Sequence, residues 1–244
     1  MTVDKSAQRI RTLFREIAPK YDFLNHLLSC GVDRYWRTKT VRRTANAQVR
    51  RVLDVCTGTA DLALAYDRVL RRLTKGEHRI IGTDFCDAMI ESGRRKIARI
   101  GNGAQERIEL RVADTLHLPF EDDQFDLVSV AFGLRNVVDT DAGIREMTRV
   151  CRPGGTIAIL EFTTPRNRIV RWGYLIFFRR ILPLIGQCVA RNRQMAYHYL
   201  PESVAEFPQY GELLDRMRRS GITDCQMTPM TLGIATLYTG VRQR

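Results

Sequence analysis

The run VLDVCTGTADLAL, residues 52–64, sets Asp54 near the end of an apolar stretch and Gly58 in the turn that follows it. A glycine in such a turn lets backbone approach a ligand closely. Thirty residues on, Asp84 closes the next apolar stretch, and Asp114 and Thr115 follow the one after that. Acids at successive strand ends can hold ribose hydroxyls, an ammonium group or an adenine amino group. Taken singly, each acid is equally at home in turn or helix-capping chemistry.

The dinucleotide fingerprint G-x-G-x-x-G is missing, because Cys56, Gly58 and Asp61 occupy its three glycine positions. Asp54 and Asp61 would also repel a phosphate. The ligand that suits this loop carries positive charge and no phosphate, as S-adenosylmethionine does with its ammonium and sulfonium. Asp84 is then expected to take both ribose hydroxyls and Asp114 with Thr115 to meet adenine.

Elements must exist to place these residues. Short apolar runs at 51–55, 79–83, 125–131 and 156–162 are bounded by turn residues and separated by helical patterns over 61–73, 87–100 and 141–150. That alternation predicts buried parallel strands with crossover helices. Asp87 is a candidate N-cap for the second helix, and Pro153-Gly154-Gly155 a turn into the fourth strand. Residues 1–45 read as polar-rich helices, and a further helix is expected near 210–220. The runs ITDCQMTPM and ATLYTGV, separated by a Leu-Gly turn, predict an antiparallel hairpin at a sheet edge.

Composition narrows the class. The 244 residues are 44% hydrophobic and 27% charged, an ordinary globular balance with length for one α/β domain. Net charge is +12, and of the 39 basic residues only five are Lys. A surplus of that sign favours an anionic partner. The six cysteines and four histidines have no metal-type spacing, so no metal site and free thiols in a reducing compartment are expected. The first residues, MTVDKSAQRI, contain no apolar targeting segment, and no apolar run reaches the ~20 residues of a spanning helix.

Two further blocks, KYDFLNHLLSCGVDRYWR over 20–37 and AFGLRNVVDTDAGIREMTRVCRPGGTIAILEF over 131–162, complete a pattern with the cofactor loop. Together they resemble the quinone-biosynthesis C-methyltransferases, within the class I S-adenosylmethionine-dependent methyltransferases. The resemblance implies an α/β, Rossmann-like fold whose seven-stranded sheet is mostly parallel with an antiparallel C-terminal edge hairpin. It implies one domain over 1–244: a helical cap at 1–45, a cofactor-binding core at 46–162, a basic apolar lid at 163–205, and a C-terminal helix and hairpin at 206–244. The cofactor positions would be Asp54, Gly58, Thr59, Asp84, Asp114 and Thr115. Arg135, Asn136 and Tyr21 would serve the chemistry, with Arg135 stabilising a phenolate while Asn136 and Tyr21 fix the ring. Tyr21 as a packing residue and Arg135 as an ordinary ion-pair residue are the competing readings. Ala60 stands where many relatives have Gly. The implied substrate is a polyprenyl quinol, demethylmenaquinol before the benzoquinol of the ubiquinone branch.

From Phe162 to Pro201 the chain has no acid, and Arg166, Arg168, Arg171, Arg179, Arg180, Arg191 and Arg193 interleave with aromatic and aliphatic residues. Basic residues flanking an apolar face suit docking on an anionic membrane surface, consistent with a bilayer-resident quinol. A core or homo-oligomer interface rimmed by Arg is the alternative. The expected location is cytoplasmic, at the inner face of the cell membrane. RNA methylation competes on charge alone, but a Pro-Cys pair and an Asn/Asp-Pro-Pro-aromatic run are absent, so no nucleic acid is expected. A non-catalytic membrane or assembly subunit is the third reading.

Overall fold

The computed structural model describes residues 7–18, 21–29, 31–177 and 194–244. Its centre is a seven-stranded sheet of order β3-β2-β1-β4-β5-β7-β6, with β1 Arg51–Val55, β2 Arg79–Asp84, β3 Ile108–Val112, β4 Phe125–Ala131, β5 Cys151–Phe162, β6 Ile222–Met230 and β7 Ala235–Arg242. The first five strands pair in parallel, while β7 runs antiparallel to both β5 and β6. The expected C-terminal hairpin therefore forms, with β6 at the edge. Strand order reverses between β1 and β4, and the crevice beyond the carboxyl ends of such strands is where α/β sheets bind ligands.

The helices are α1 Ala7–Ile17, α2 Tyr21–Leu28, α3 Val32–Thr44, α4 Asp61–Leu73, α5 Asp87–Ile100, α6 Ala104–Arg107, α7 Thr140–Val150, α8 Arg168–Ile176, α9 Gln194–Glu206 and α10 Gly211–Arg219. A 3-10 turn, Leu134–Asn136, follows β4. Because side chains alternate across a strand, the sheet feeds two cores. Val52, Leu127, Ala158 and Leu160 pack on one face with Trp36, Leu62, Tyr66 and Leu70. Leu53, Val55, Val128, Ile157 and Ile159 pack on the other with Ile144, Met147, Leu213 and Met217. Burial on both faces is why these strands read as unbroken apolar runs.

Two local expectations are corrected. The N-cap of α5 is Cys86, and Asp87 is its first helical residue, paired with Arg15 across to α1. Strand β5 begins at Cys151, so Pro153-Gly154-Gly155 lies inside it. The register irregularity between Phe125 and Leu127 absorbs the extra residues, and Gly154 takes φ 75° there. Within the basic apolar segment, residues 178–193 lie outside the described residues. Among those described, α8 turns Ile169 and Trp172 outward, 81% and 70% exposed, while Tyr174 is buried. Among the described residues, no helix is long and apolar enough to cross a membrane.

Candidate functional site

Beyond the carboxyl ends of β1, β2 and β4 lies a cavity of about 400 Å³, within the usual range for small-molecule sites. Its floor is the loop after β1, where Cys56, Gly58 and Ala60 take φ 51°, 56° and 70°. These left-handed residues turn the chain sharply from strand to helix. Gly58 lines the cavity, and a Cβ on it would lie 3.7 Å from Tyr21 Cε1. Ala60, at the N-cap of α4, holds a conformation that glycine adopts without strain.

Asp84, at the end of β2, presents the cavity's buried charge. One carboxylate oxygen accepts from the Gly58 N–H at 3.0 Å and the other from the Cys86 N–H at 2.9 Å. Burial pushes its pKa up to about 6, and the two amides offset this only in part. A diol donating to this carboxylate would complete its solvation, so the group fits a ribose. Asp114 lies on the rim, accepting from the Leu116 N–H at 3.0 Å. Thr115 is buried in the wall, 3.3 Å from the Cys56 thiol. Phe85, Met89, Val112 and Leu116 give this end an apolar slot for a flat base. The residues present thus fit S-adenosylmethionine.

Two expected cofactor residues stand behind the wall. Asp54 is 1% exposed, and its carboxylate accepts from Thr57 Oγ1 at 2.6 Å and from Ser129 Oγ at 3.4 Å. Burial pushes its pKa up to about 7. Thr59 donates to Asp22 Oδ1 at 2.5 Å and does not line the cavity. Asp54 and Asp61, the acids expected to favour a cationic ligand, do not line the cavity. Asp61 pairs with Lys96 at 2.7 Å and Arg37 at 3.8 Å, cations that outweigh burial and hold its pKa low. The acids that do face the cavity are Asp84 and Asp114.

Tyr21, Phe132, Gly133 and Asn136 also line the cavity. Tyr21 comes from α2, edge-on to Phe14 with ring centroids 6.0 Å apart, and burial raises its phenol pKa. Packing and cavity lining are thus the same position. Asn136 closes the 3-10 turn after β4, and its Oδ1 accepts from the Tyr199 hydroxyl at 2.9 Å. Arg135 itself is turned inward and only 7% exposed. Its Nη1 donates to Glu161 Oε1 at 2.7 Å and to the Phe132 carbonyl, and its charge sits 5.3 Å from the Phe162 ring centroid. Its Nε is buried with no hydrogen-bond partner among the described residues. Arg135 is therefore an ion-pair residue with donor capacity to spare, and its charge is felt by the phenols of Tyr21, Tyr174 and Tyr199.

Glu161 and Tyr199 join the site without an expected role in the sequence. Glu161 belongs to the LEF run, where a carboxylate inside an otherwise apolar strand needs a buried partner. The lone acid in that run is itself the signal of such a pair. Tyr199, in contrast, meets Asn136 only through the packing of α9 on the turn.

Residues 1–242 match the model of the ubiE/COQ5 methyltransferase family. A Geobacter sulfurreducens protein named ubiquinone/menaquinone biosynthesis C-methyltransferase UbiE is 46% identical over 236 residues, 97% of this chain and 89% of that protein. A Bacteroides fragilis protein named demethylmenaquinone methyltransferase is 36% identical over 238 residues, 98% of this chain and 94% of that one. Among solved structures, an S-adenosylmethionine-dependent methyltransferase of Thermotoga maritima superposes with a TM-score of 0.62 at 14% identity, covering 95% of this chain and 99% of that chain. A likeness at that identity establishes the shared fold.

Proposed function

The chain belongs to the ubiE/COQ5 methyltransferase family, whose members are S-adenosylmethionine-dependent C-methyltransferases of quinone biosynthesis, and from that premise we propose that it methylates demethylmenaquinol to menaquinol. S-adenosylmethionine supplies the methyl group on a sulfonium. The nucleophile is a ring carbon, and it gains electron density as the neighbouring phenolic oxygen loses its proton. Stabilising that oxygen is the task left to the protein.

The observation that carries the reading is the buried Arg135 guanidinium, held by Glu161 with Nε unpartnered among the described residues, one residue from the cavity-lining Asn136. A guanidinium stays cationic at working pH and stabilises a phenolate strongly where water is excluded. Asn136 fixes the ring by its amide, and Tyr21 bounds it from α2. Asp84, Asp114, Thr115 and Gly58 hold the cofactor, with Asp54 and Thr59 shaping the loop from behind. Orienting both reactants supplies much of the acceleration.

The menaquinol branch is favoured by the Bacteroides fragilis relative's name, and the Geobacter relative's name keeps the benzoquinol branch as the second reading. The quinol is met at the inner face of the cell membrane. Support for this comes from α8, where Arg168 and Arg171 flank the outward Ile169 and Trp172.

The test is methyl transfer from labelled S-adenosylmethionine to reduced demethylmenaquinol and to a reduced methoxy-benzoquinol, side by side, with and without anionic liposomes. Product on demethylmenaquinol, faster with liposomes, is expected. Product on the benzoquinol alone would move the reading to the other branch, and none on either would overturn the substrate.

A further inference from the structure

Among 39 basic residues only five are lysines, and one of them stands where an arginine could not serve. Lys96 lies on α5, and its ammonium donates to Asp22 Oδ2 at 2.5 Å, Asp61 Oδ1 at 2.7 Å and Thr59 Oγ1 at 3.0 Å. The three acceptors come from α2, the first turn of α4 and the loop between β1 and α4. An ammonium offers three N–H bonds in a tetrahedral spread, which suits three acceptors converging from separate elements. A guanidinium offers a flat fork suited to the two oxygens of one carboxylate.

The contacts form a closed ring. Thr59 Oγ1 accepts from Lys96 and gives its own proton to Asp22 Oδ1 at 2.5 Å, while Asp22 Oδ2 accepts from Lys96. None of the three lines the cavity, yet Asp22 adjoins Tyr21 and Thr59 adjoins Gly58, and both of those do. The ring therefore stands one residue behind the place where Tyr21 and Gly58 face each other.

Asp61 also meets His26 and Asp33, and ligand atoms of the three lie within 4.8 Å of one another, as in a metal site. The cation there is Arg37, which pairs with Asp33 through Nη1 and lies 3.8 Å from Asp61 through Nη2. Because Arg37 also faces Asp61, loss of Lys96 would not strand a buried charge.

We propose that Lys96 is a positioning residue: it ties α2 to the loop after β1 and so sets the spacing of Tyr21 and Gly58 around bound S-adenosylmethionine. The proposal rests on the cofactor site and is independent of which quinol is methylated. It also gives the Tyr-Asp pair at the start of the 20–37 block a joint purpose, one residue facing the cavity and the next anchoring it.

Binding of labelled S-adenosylmethionine by equilibrium dialysis tests this without any quinol, using wild type, Lys96→Arg, Lys96→Met, Asp22→Asn and the Lys96→Met/Asp22→Asn double variant. Thermal midpoints of the ligand-free proteins are measured alongside. Both Lys96 variants and Asp22→Asn should bind about tenfold more weakly, the size of one ordinary coupling. The double variant should bind no more weakly than either single one, and Lys96→Arg should keep its thermal midpoint. A general loss of packing would lower midpoints and affinities together. Wild-type affinity in Lys96→Arg would overturn the proposal, as would additive losses in the double variant or affinities that merely track the midpoints. If wild type itself bound no S-adenosylmethionine, the cofactor site would be wrong and the proposal with it.

Discussion

Tyr199 donates its hydroxyl hydrogen to Asn136 Oδ1 at 2.9 Å, which turns the amide so that its two N–H bonds remain for the cavity. An amide held this way donates to a substrate oxygen, matching an oxygen that develops negative charge. Tyr199→Phe should therefore lower kcat/KM for the quinol about five- to tenfold, the worth of one positioned hydrogen bond, and leave cofactor affinity unchanged. Parallel titrations of both reactants check this. An equal loss in cofactor affinity would mean that Tyr199 acts on the whole site.

Arg135 and Glu161 form a buried ion pair at 2.7 Å with side-chain exposures of 8% and 0%. Removing one partner from such a pair leaves an uncompensated charge, at a typical cost of about 3–5 kcal/mol, whereas replacing both by apolar groups is often neutral. Glu161→Ala and Arg135→Ala should each lower the thermal midpoint markedly, while Arg135→Met/Glu161→Leu should recover most of the stability and none of the activity. Thermal melts and turnover on the same preparations separate stability from chemistry. Activity in the double variant would remove Arg135 from the reaction.

The difference between Asp84 and Asp54 shows how far the sequence reaches into the site. Asp84 closes β2 and Asp54 stands one residue before the end of β1, and both strands read as apolar runs because both sheet faces are buried. A strand end determines where a side chain starts, but its hydrogen-bond partners determine where it turns. Gly58 and Cys86 amides hold Asp84 at the cavity, whereas Thr57 and Ser129 draw Asp54 behind it. Lys96 and Asp61 are 35 positions apart, so no local pattern joins them. The start of β5 was hidden for another reason, since proline and glycines inside a strand read as a turn unless a bulge absorbs them.

As the proposed ribose ligand, Asp84 should make cofactor binding depend on pH. Its folded pKa of about 6 stands above the ordinary 3.8, so the folded, ligand-free protein holds a proton that the unfolded chain releases. This group's contribution to stability is therefore present below about 3.8 and lost as pH rises through about 6. The ionised carboxylate is the form that accepts from ribose hydroxyls, so cofactor affinity moves the other way. Affinity should fall several-fold between pH 7.5 and 5.5 in wild type and be weak and nearly flat in Asp84→Asn. Equilibrium dialysis across that range is the measurement, and a flat wild-type profile would refute the assignment of Asp84 to the ribose.

Gly133 packs directly beneath the cofactor loop. A Cβ added to it would lie 2.3 Å from Cys56 Cβ, a distance no non-bonded pair of carbons sustains. Backbone has to move, carrying the Leu134–Asn136 turn with it. Gly133→Ala should cost about 1–3 kcal/mol of stability, as overpacked interiors do, and abolish measurable turnover. A variant with normal turnover would show that the turn after β4 tolerates displacement and that Asn136 needs no fixed place.

The membrane docking proposed for the outward face of α8 can be tested apart from catalysis. Ile169 and Trp172 are 81% and 70% exposed, and Asn167 caps the helix by accepting from the Ile169 and Val170 N–H groups. A rigid helix with an exposed aromatic and flanking arginines meets an anionic interface by burying the first and pairing the second. Replacing Ile169 and Trp172 by Ser should abolish sedimentation with anionic liposomes, and each of Arg168→Gln and Arg171→Gln should weaken it about fivefold at low salt. Turnover on a short-chain, water-soluble quinol should stay at the wild-type level, because none of these residues lines the cavity. Undiminished sedimentation of the Ile169→Ser/Trp172→Ser variant would overturn lipid docking through this face, and a shift of its sedimentation coefficient towards monomer would assign the face to a second copy of the chain.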